Sequence, residues 1–185
     1  TTSITSQSDV VAISGCTDLI GDFYFDPGLD ITPLSGLQTI SGDMTFSNSS
    51  IAYDIYFPNL TSIGGKLNLS SIQSSNIFFP SLLSIADYLR MYGLGYIDSV
   101  NFASLQSASY LEIESNGQSA ANSWTLSFPN VSSCTNIYIE SNPDLTQVSG
   151  FTNLNYLNTL NVRNNPQLQI CCDLNYLVSM QLPHL

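Results

Sequence analysis

The chain has 185 residues, of which 43% are hydrophobic and only 9% charged, against about 25% charged in an ordinary soluble domain. Three basic residues, Lys66, Arg90 and Arg163, stand against fourteen acids for a net charge of -11. That balance excludes nucleic acid and an anionic membrane surface as partners, because both are recognised through clusters of Lys and Arg.

In chain order, the opening "TTSITSQSDV" lacks the basic end and apolar run of a signal peptide. The stretch "SQSDVVAIS" (6–14) begins with Ser and Asp as a helix cap does, and predicts a short helix in an N-terminal cap over residues 1–19. Over residues 20–170 the chain repeats itself. The cores "DFYF" (22–25), "DMTF" (43–46), "KLNL" (66–69), "YLRM" (88–91), "YLEI" (110–113), "NIYI" (136–139) and "TLNV" (159–162) alternate polar and apolar residues. Their first apolar positions, Phe23, Met44, Leu67, Leu89, Leu111, Ile137 and Leu160, recur every 21 to 26 residues. A second series, with "FPNLTSI" (57–63), "FPSLLSI" (79–85) and "FPNVSSC" (128–134), places Leu34, Phe57, Phe79, Phe102, Phe128 and Phe151 at matching intervals. Both series lengthen at one insert, "NGQSAANSW" (116–124), so they share one register. Residues 171–185 form the C-terminal end, with a second short helix over "CDLNYLVSM" (172–180).

A period of about 20–29 residues with short alternating strands predicts a mostly β chain, a parallel β-solenoid of the leucine-rich-repeat kind with about seven coils in a single domain, 1–185. One coil cannot bury its apolar side chains alone, whereas stacked coils can. Asn142-Pro143 and Asn164-Asn165-Pro166 fall just after strands, where an Asn side chain bonds turn backbone and links coil to coil. The "SIGGK" run (62–66) is no P-loop; Gly64 and Gly65 permit a tight corner.

Four N-x-[ST] sequons, at Asn48, Asn59, Asn68 and Asn130, point to a secreted glycoprotein. The cysteines are Cys16, Cys134, Cys171 and Cys172, an even count that makes all four disulfide candidates outside the cell. Cys171 and Cys172 are too close in sequence to bond each other readily, and the pairing stays open. No spacing of Cys and His suggests zinc, and His184 is the only histidine, so neither a metal site nor a cofactor is expected.

Parallel stacking brings the outward residues of neighbouring strands within ~4.8 Å. On the fourth to sixth coils this gathers Tyr88, Tyr92, Tyr110 and Tyr138 around Arg90, Glu112, Glu114 and Glu140, the candidate binding face. Aromatic platforms beside hydrogen-bonding groups suit a saccharide or a peptide. The plainer reading is that tyrosines favour strands and Arg90 simply pairs with Glu112. Glu114 and Glu140 occupy equivalent sites on adjacent coils, the ~5–5.5 Å separation of a retaining glycosidase pair. A flat face lacks the cleft that shields a reaction from water, so no catalytic residue is expected.

The segment "ITSQSDVVAISGCTDLIGDFYF", followed by "ISGDMTF", "FPNLTSIGGKLNL" and "FPSLLSI", resembles the fungal GPI-anchored cell-wall organisation proteins of the extracellular-mutant/sporulation-specific type. More distantly it is similar to the receptor L domains of insulin- and EGF-type receptors. The resemblance covers nearly the whole chain. It implies a right-handed solenoid that is extracellular, N-glycosylated and held at the cell wall or the outer face of the plasma membrane by a GPI anchor. No Ser/Thr-rich stalk, ω-site or apolar tail accompanies "MQLPHL", so contact with a membrane is expected only through an anchor outside these residues. The family often carries a cysteine ahead of the "ITSQ" segment that pairs with the equivalent of Cys16, which is therefore expected to be unpaired here. The expected function is non-enzymatic support of wall organisation, with a cell-wall polysaccharide or a cell-surface protein as partner. The alternatives are a ligand-binding ectodomain of the receptor L-domain type and a carbohydrate-active enzyme on a β-helix.

Overall fold

The computed structural model describes residues 1–26, 28–47, 54–73, 76–117, 123–169 and 177. It is a parallel β-solenoid of about seven turns with one short helix near its N-terminus. The helix, Gln7–Ile13, starts where the sequence places a cap. Ser6 accepts from the Asp9 backbone N–H while the Asp9 carboxylate accepts from the Ser6 N–H, so two orphan donors are satisfied reciprocally. Buried Val10 pins the helix to the core. The cap is more than a helix, however. Thr2–Ile4 is a strand in parallel register with Phe23–Phe25, so the N-terminal segment supplies an extra rung with Ile4 buried.

The main sheet runs in chain order through Thr2–Ile4, Phe23–Phe25, Met44–Ser47, Leu67–Ser70, Ser84–Tyr92, Ser107–Glu114, Asn136–Glu140 and Thr159–Arg163. All these pairings are parallel. Leu67, Leu89, Leu111, Ile137 and Leu160 lie in direct register, one above the next. The two long strands carry the arm straight into the sheet with a register shift between Ile85 and Tyr88. Each coil turns away from the sheet at one corner. Ser71, Gly93, Ser115, Ser141 and Asn164 hold equivalent places there, each three residues past the central strand residue and each with φ between 52° and 63°.

The arms stack Phe57, Phe79, Phe102, Phe128 and Phe151 into one fully buried column, with successive ring centroids 5.6, 5.4, 6.1 and 5.5 Å apart. Offset stacking of this kind adds to plain burial. Beyond the first corner five successive coils close through a further short strand, which the alternating pattern does not mark. Ile55–Tyr56, Asn76–Phe78 and Ser99–Asn101 form a three-stranded sheet, and Trp124–Ser127 pairs with Leu145–Ser149.

Two side-chain ladders fix the rise from coil to coil. Inside, Asn116 Nδ2 donates to Met91 O, Asn142 Nδ2 to Ile113 O and Asn165 Nδ2 to Ile139 O, while each Oδ1 accepts from a backbone N–H of the coil before. Asn142 and Asn165 thus link coils as their places after the strands suggest, and Asn116 begins the run. Along the arms, Asn59, Ser81, Ser104, Asn130 and Asn153 each donate to a carbonyl one coil earlier, on Ser35, Pro58, Pro80, Ala103 and Pro129.

Gly64 is required by close approach, not by its backbone angles. A Cβ there would sit 2.1 Å from Ser41 O on the coil below. Gly64→Ala is expected to lower stability by about 2 kcal/mol, read by urea unfolding, because backbone must move to admit the methyl group. A loss below about 0.5 kcal/mol would show that the coils are not this tightly stacked. The second predicted helix, over 172–180, lies outside the described residues apart from Leu177, which is helical and fully buried.

Candidate functional site

The outward rows of the main sheet meet in the register that the repeat predicts. Tyr88 opposes Tyr110, Arg90 opposes Glu112 and Glu112 opposes Tyr138, and Tyr92, Glu114 and Glu140 follow one another. All three Lys and Arg side chains of the chain stand on this face, each paired with an acid on an adjacent coil. Lys66 Nζ lies 3.1 Å from Asp43 Oδ2, and Arg163 Nη2 lies 2.6 Å from Glu140 Oε2. Arg90 Nε is 3.0 Å from Glu112 Oε1, but its N–H is not aimed along a hydrogen bond, so this pair is held by charge alone. Half-exposed pairs of this kind contribute about 0–1 kcal/mol each, and serve more to set side-chain positions than to stabilise the fold.

Those positions decide which tyrosines are open. Lys66 Nζ sits 5.7 Å from the centroid of the Tyr88 ring, and Arg90 Cζ sits 4.7 Å from that of Tyr92. Each ring therefore has one face covered by a cation. The Asp43 hydrogen bond, and after it the Tyr88 phenol, raise the Lys66 pKa above its ordinary value and keep the ammonium charged. Tyr138 is half-buried. Tyr110, 41% exposed, is the open ring of the group.

The acids divide as well. Glu112 and Glu114 are half-buried, whereas Glu140 is 8% exposed and fully engaged. Asn161 Nδ2 donates to its Oε1, and Arg163 Nε donates to its Oε2 at 2.7 Å. Both oxygens of Glu140 thus hold neighbouring side chains, while Glu114 stands beside it in register on the adjacent coil.

Of the sequon asparagines, Asn59 and Asn130 are exposed on the arm corners, with their amides donating to Ser35 O and Ala103 O. Asn68 lies within the face beside Arg90, half-buried, with a buried and unpartnered Oδ1. Asn48 lies outside the described residues, as do Cys171 and Cys172.

Neither Cys16 nor Cys134 is in a disulfide. Cys134 occupies the arm position that Ile63, Ile85, Ala108 and Leu157 fill in other coils, so it acts as a small core side chain. Burial pushes its thiol up to about 11, while Cys16 is exposed. Alkylation at pH 8 followed by peptide mapping is expected to label Cys16 in the native protein and Cys134 only after denaturation, since the thiolate is the nucleophile. Equal labelling of both would contradict this packing.

The alternating pattern gave no prominence to Tyr56 and Phe78. They precede the buried phenylalanines in "IYFPN" and "IFFPS", and the doubling of aromatics is the signal that marks an outward ring next to an inward one. Tyr56 is 46% exposed, and its ring meets that of Phe78 edge-on at 6.3 Å.

Cell wall mannoprotein PST1 of Saccharomyces cerevisiae is 32% identical to the chain over 163 residues, which is 88% of this chain and 30% of the yeast protein. Cell wall protein ecm33 of Schizosaccharomyces pombe is 24% identical over 103 residues, 54% of the chain and 24% of that protein. The chain therefore spans less than a third of the length of these cell-wall relatives. No protein-family model and no solved structure matches it. The homology supports a cell-wall role and suggests a cell-wall location. Neither relative is named as an enzyme, and no helix among the described residues is long and apolar enough to cross a membrane.

Proposed function

We propose that this chain is a non-enzymatic module of an extracellular, N-glycosylated, GPI-anchored cell-wall protein, and that it helps organise the wall by holding a neutral polysaccharide on its sheet face. The observation that carries the reading is the state of the charges on that face. Every cation is already paired with an acid of a neighbouring coil, while the Tyr110 ring stays open. Recognition there rests on ring stacking and hydrogen bonds, the forces that bind neutral sugars. The two oxygens of Glu140, both already held by neighbouring side chains, favour binding over turnover.

The test compares wild type with the Tyr88→Ala/Tyr110→Ala variant on a glycan array and in pull-down from wall fractions. The variant is expected to lose at least about tenfold in retention, the ~1.4 kcal/mol that a lost stacking contact represents. Unchanged retention would discard the sheet face as the site.

A further inference from the structure

A second side of the solenoid carries a groove built from different residues. It lies over the three-stranded sheet that follows the first corner of each coil. Tyr56 and Phe78, on adjacent coils, form a ridge with an interplanar angle of 78°. A depression of about 390 Å³ opens on one side of this ridge, lined by Leu29, Asp30, Thr32, Asp54 and Tyr56. Another of about 240 Å³ opens on the other side, bounded by Phe78, Ser99, Asn101 and Pro129. Their lining residues come from five successive coils, with Tyr56, Phe78 and Asn101 in direct register, and four rises of ~4.8 Å span about 19 Å.

We propose that this groove is a second binding site for an extended neutral glycan, distinct from the sheet face, so that one molecule engages two wall polymers at once. Three features select the ligand class. First, all the Lys and Arg of the chain lie on the sheet face and none lines this groove, so a phosphorylated, sulfated or uronic-acid polymer meets only Asp30 and Asp54 and is repelled. Second, both carboxylates are already held by neutral donors. Asp54 Oδ1 accepts from Asn76 Nδ2 at 2.9 Å and Asp30 Oδ1 accepts from the Thr32 N–H, which positions the remaining oxygens to accept hydroxyl hydrogens. Third, the exposed Tyr56 ring has no cation over it, unlike Tyr88 and Tyr92, and the coil rise approximates the advance of one pyranose unit in an extended chain. A flat ring flanked by acceptors at that repeat suits a sugar face and its equatorial hydroxyls.

The site shares no residue with the sheet face, so the two readings fail separately. The test titrates the protein with β-1,3-glucohexaose, β-1,4-glucohexaose and α-mannohexaose, with sulfated β-1,3-glucohexaose as the anionic control. It then repeats the titrations with Tyr56→Ala, Asp54→Asn and Tyr110→Ala. At least one neutral hexasaccharide is expected to bind at two sites per chain, and the sulfated form at neither. Tyr56→Ala should weaken one of the two sites at least tenfold without lowering the melting temperature, because its side chain is half in solvent. Asp54→Asn should weaken that site alone by a smaller factor. Beads coated with the bound hexasaccharide should be clumped by wild type and dispersed by Tyr56→Ala or Tyr110→Ala alone. If Tyr56→Ala leaves every affinity within twofold, or if no neutral hexasaccharide binds, the groove proposal is overturned. Binding lost in Tyr110→Ala but intact in Tyr56→Ala overturns the groove and keeps the sheet face, and the opposite pattern does the reverse.

Discussion

Phe79→Ala is expected to lower the unfolding free energy by about 4 kcal/mol, the middle of the range for removing a buried aromatic ring. Phe79 is fully buried, with the Phe57 ring 5.6 Å away at an interplanar angle of 10° and the Phe102 ring 5.4 Å away at 4°. Its loss removes the transfer energy of one ring and the stacking of two. It also opens a cavity that two parallel-stacked coils cannot close without shortening the rise of the whole rod. Because each coil of a solenoid touches only its neighbours, damage in the middle uncouples the two halves. Urea unfolding should therefore show a lower midpoint and a shallower slope than wild type. Tyr156→Ala, at a side chain 63% exposed, serves as the control and should stay within about 0.5 kcal/mol. Equal losses at both positions would mean that the phenylalanine column does not hold the coils together.

Asn142→Ala is expected to cost about 3 kcal/mol although it removes only a small polar group, since buried polar atoms left without partners cost about 1–3 kcal/mol each. Asn142 is fully buried, and its Oδ1 accepts from both the N–H and the Nδ2 of Asn116 while its Nδ2 reaches Ile113 O and Asn165 Oδ1. Alanine leaves the Asn116 backbone N–H without that acceptor and cuts the ladder at its centre. Asp fits the shape but cannot donate, so Asn142→Asp should be at least as harmful. Asn153, on the exposed arm ladder, makes a single bond to Pro129 O, and Asn153→Ala should cost below about 1 kcal/mol. Thermal unfolding of the three variants separates these cases.

What the chain reveals by reading alone follows from how regular each feature is. The stacking of Leu67, Leu89 and Leu111 is legible because one strand per coil repeats at a nearly constant interval, and a single shared insert confirms the alignment of two independent series. The pairings of Tyr88 with Tyr110 and of Arg90 with Glu112 come from the same register. The strand at Thr2–Ile4 is not legible, since "TSI" offers one apolar residue and no earlier coil to compare with. The short closing strands are hidden for another reason: they are two to five residues long and none buries more than two side chains, too few for the alternation to stand out although they keep the interval of the main repeat. Spacing also says nothing about where long side chains lie along a sheet. That Lys66 and Arg90 cover the rings of Tyr88 and Tyr92, and that Arg163 and Asn161 claim Glu140, depends on rotamers and only the structure places them. Cys134 is the converse case: residue type makes it a disulfide candidate, while its position in the repeat places it in the core.

The central claim is that the coils stack in parallel register, with alternate strand residues inside and the intervening ones on a shared face. Methyl-labelled NMR tests it most directly. Nuclear Overhauser contacts are expected between Leu67 and Leu89 and between Leu89 and Leu111, none between Leu67 and Leu111, and the amide of Arg90 should lie close to the backbone of both Asn68 and Glu112. Absence of the Leu67–Leu89–Leu111 chain of contacts, or antiparallel contacts in its place, would contradict the account and remove both proposed glycan surfaces with it.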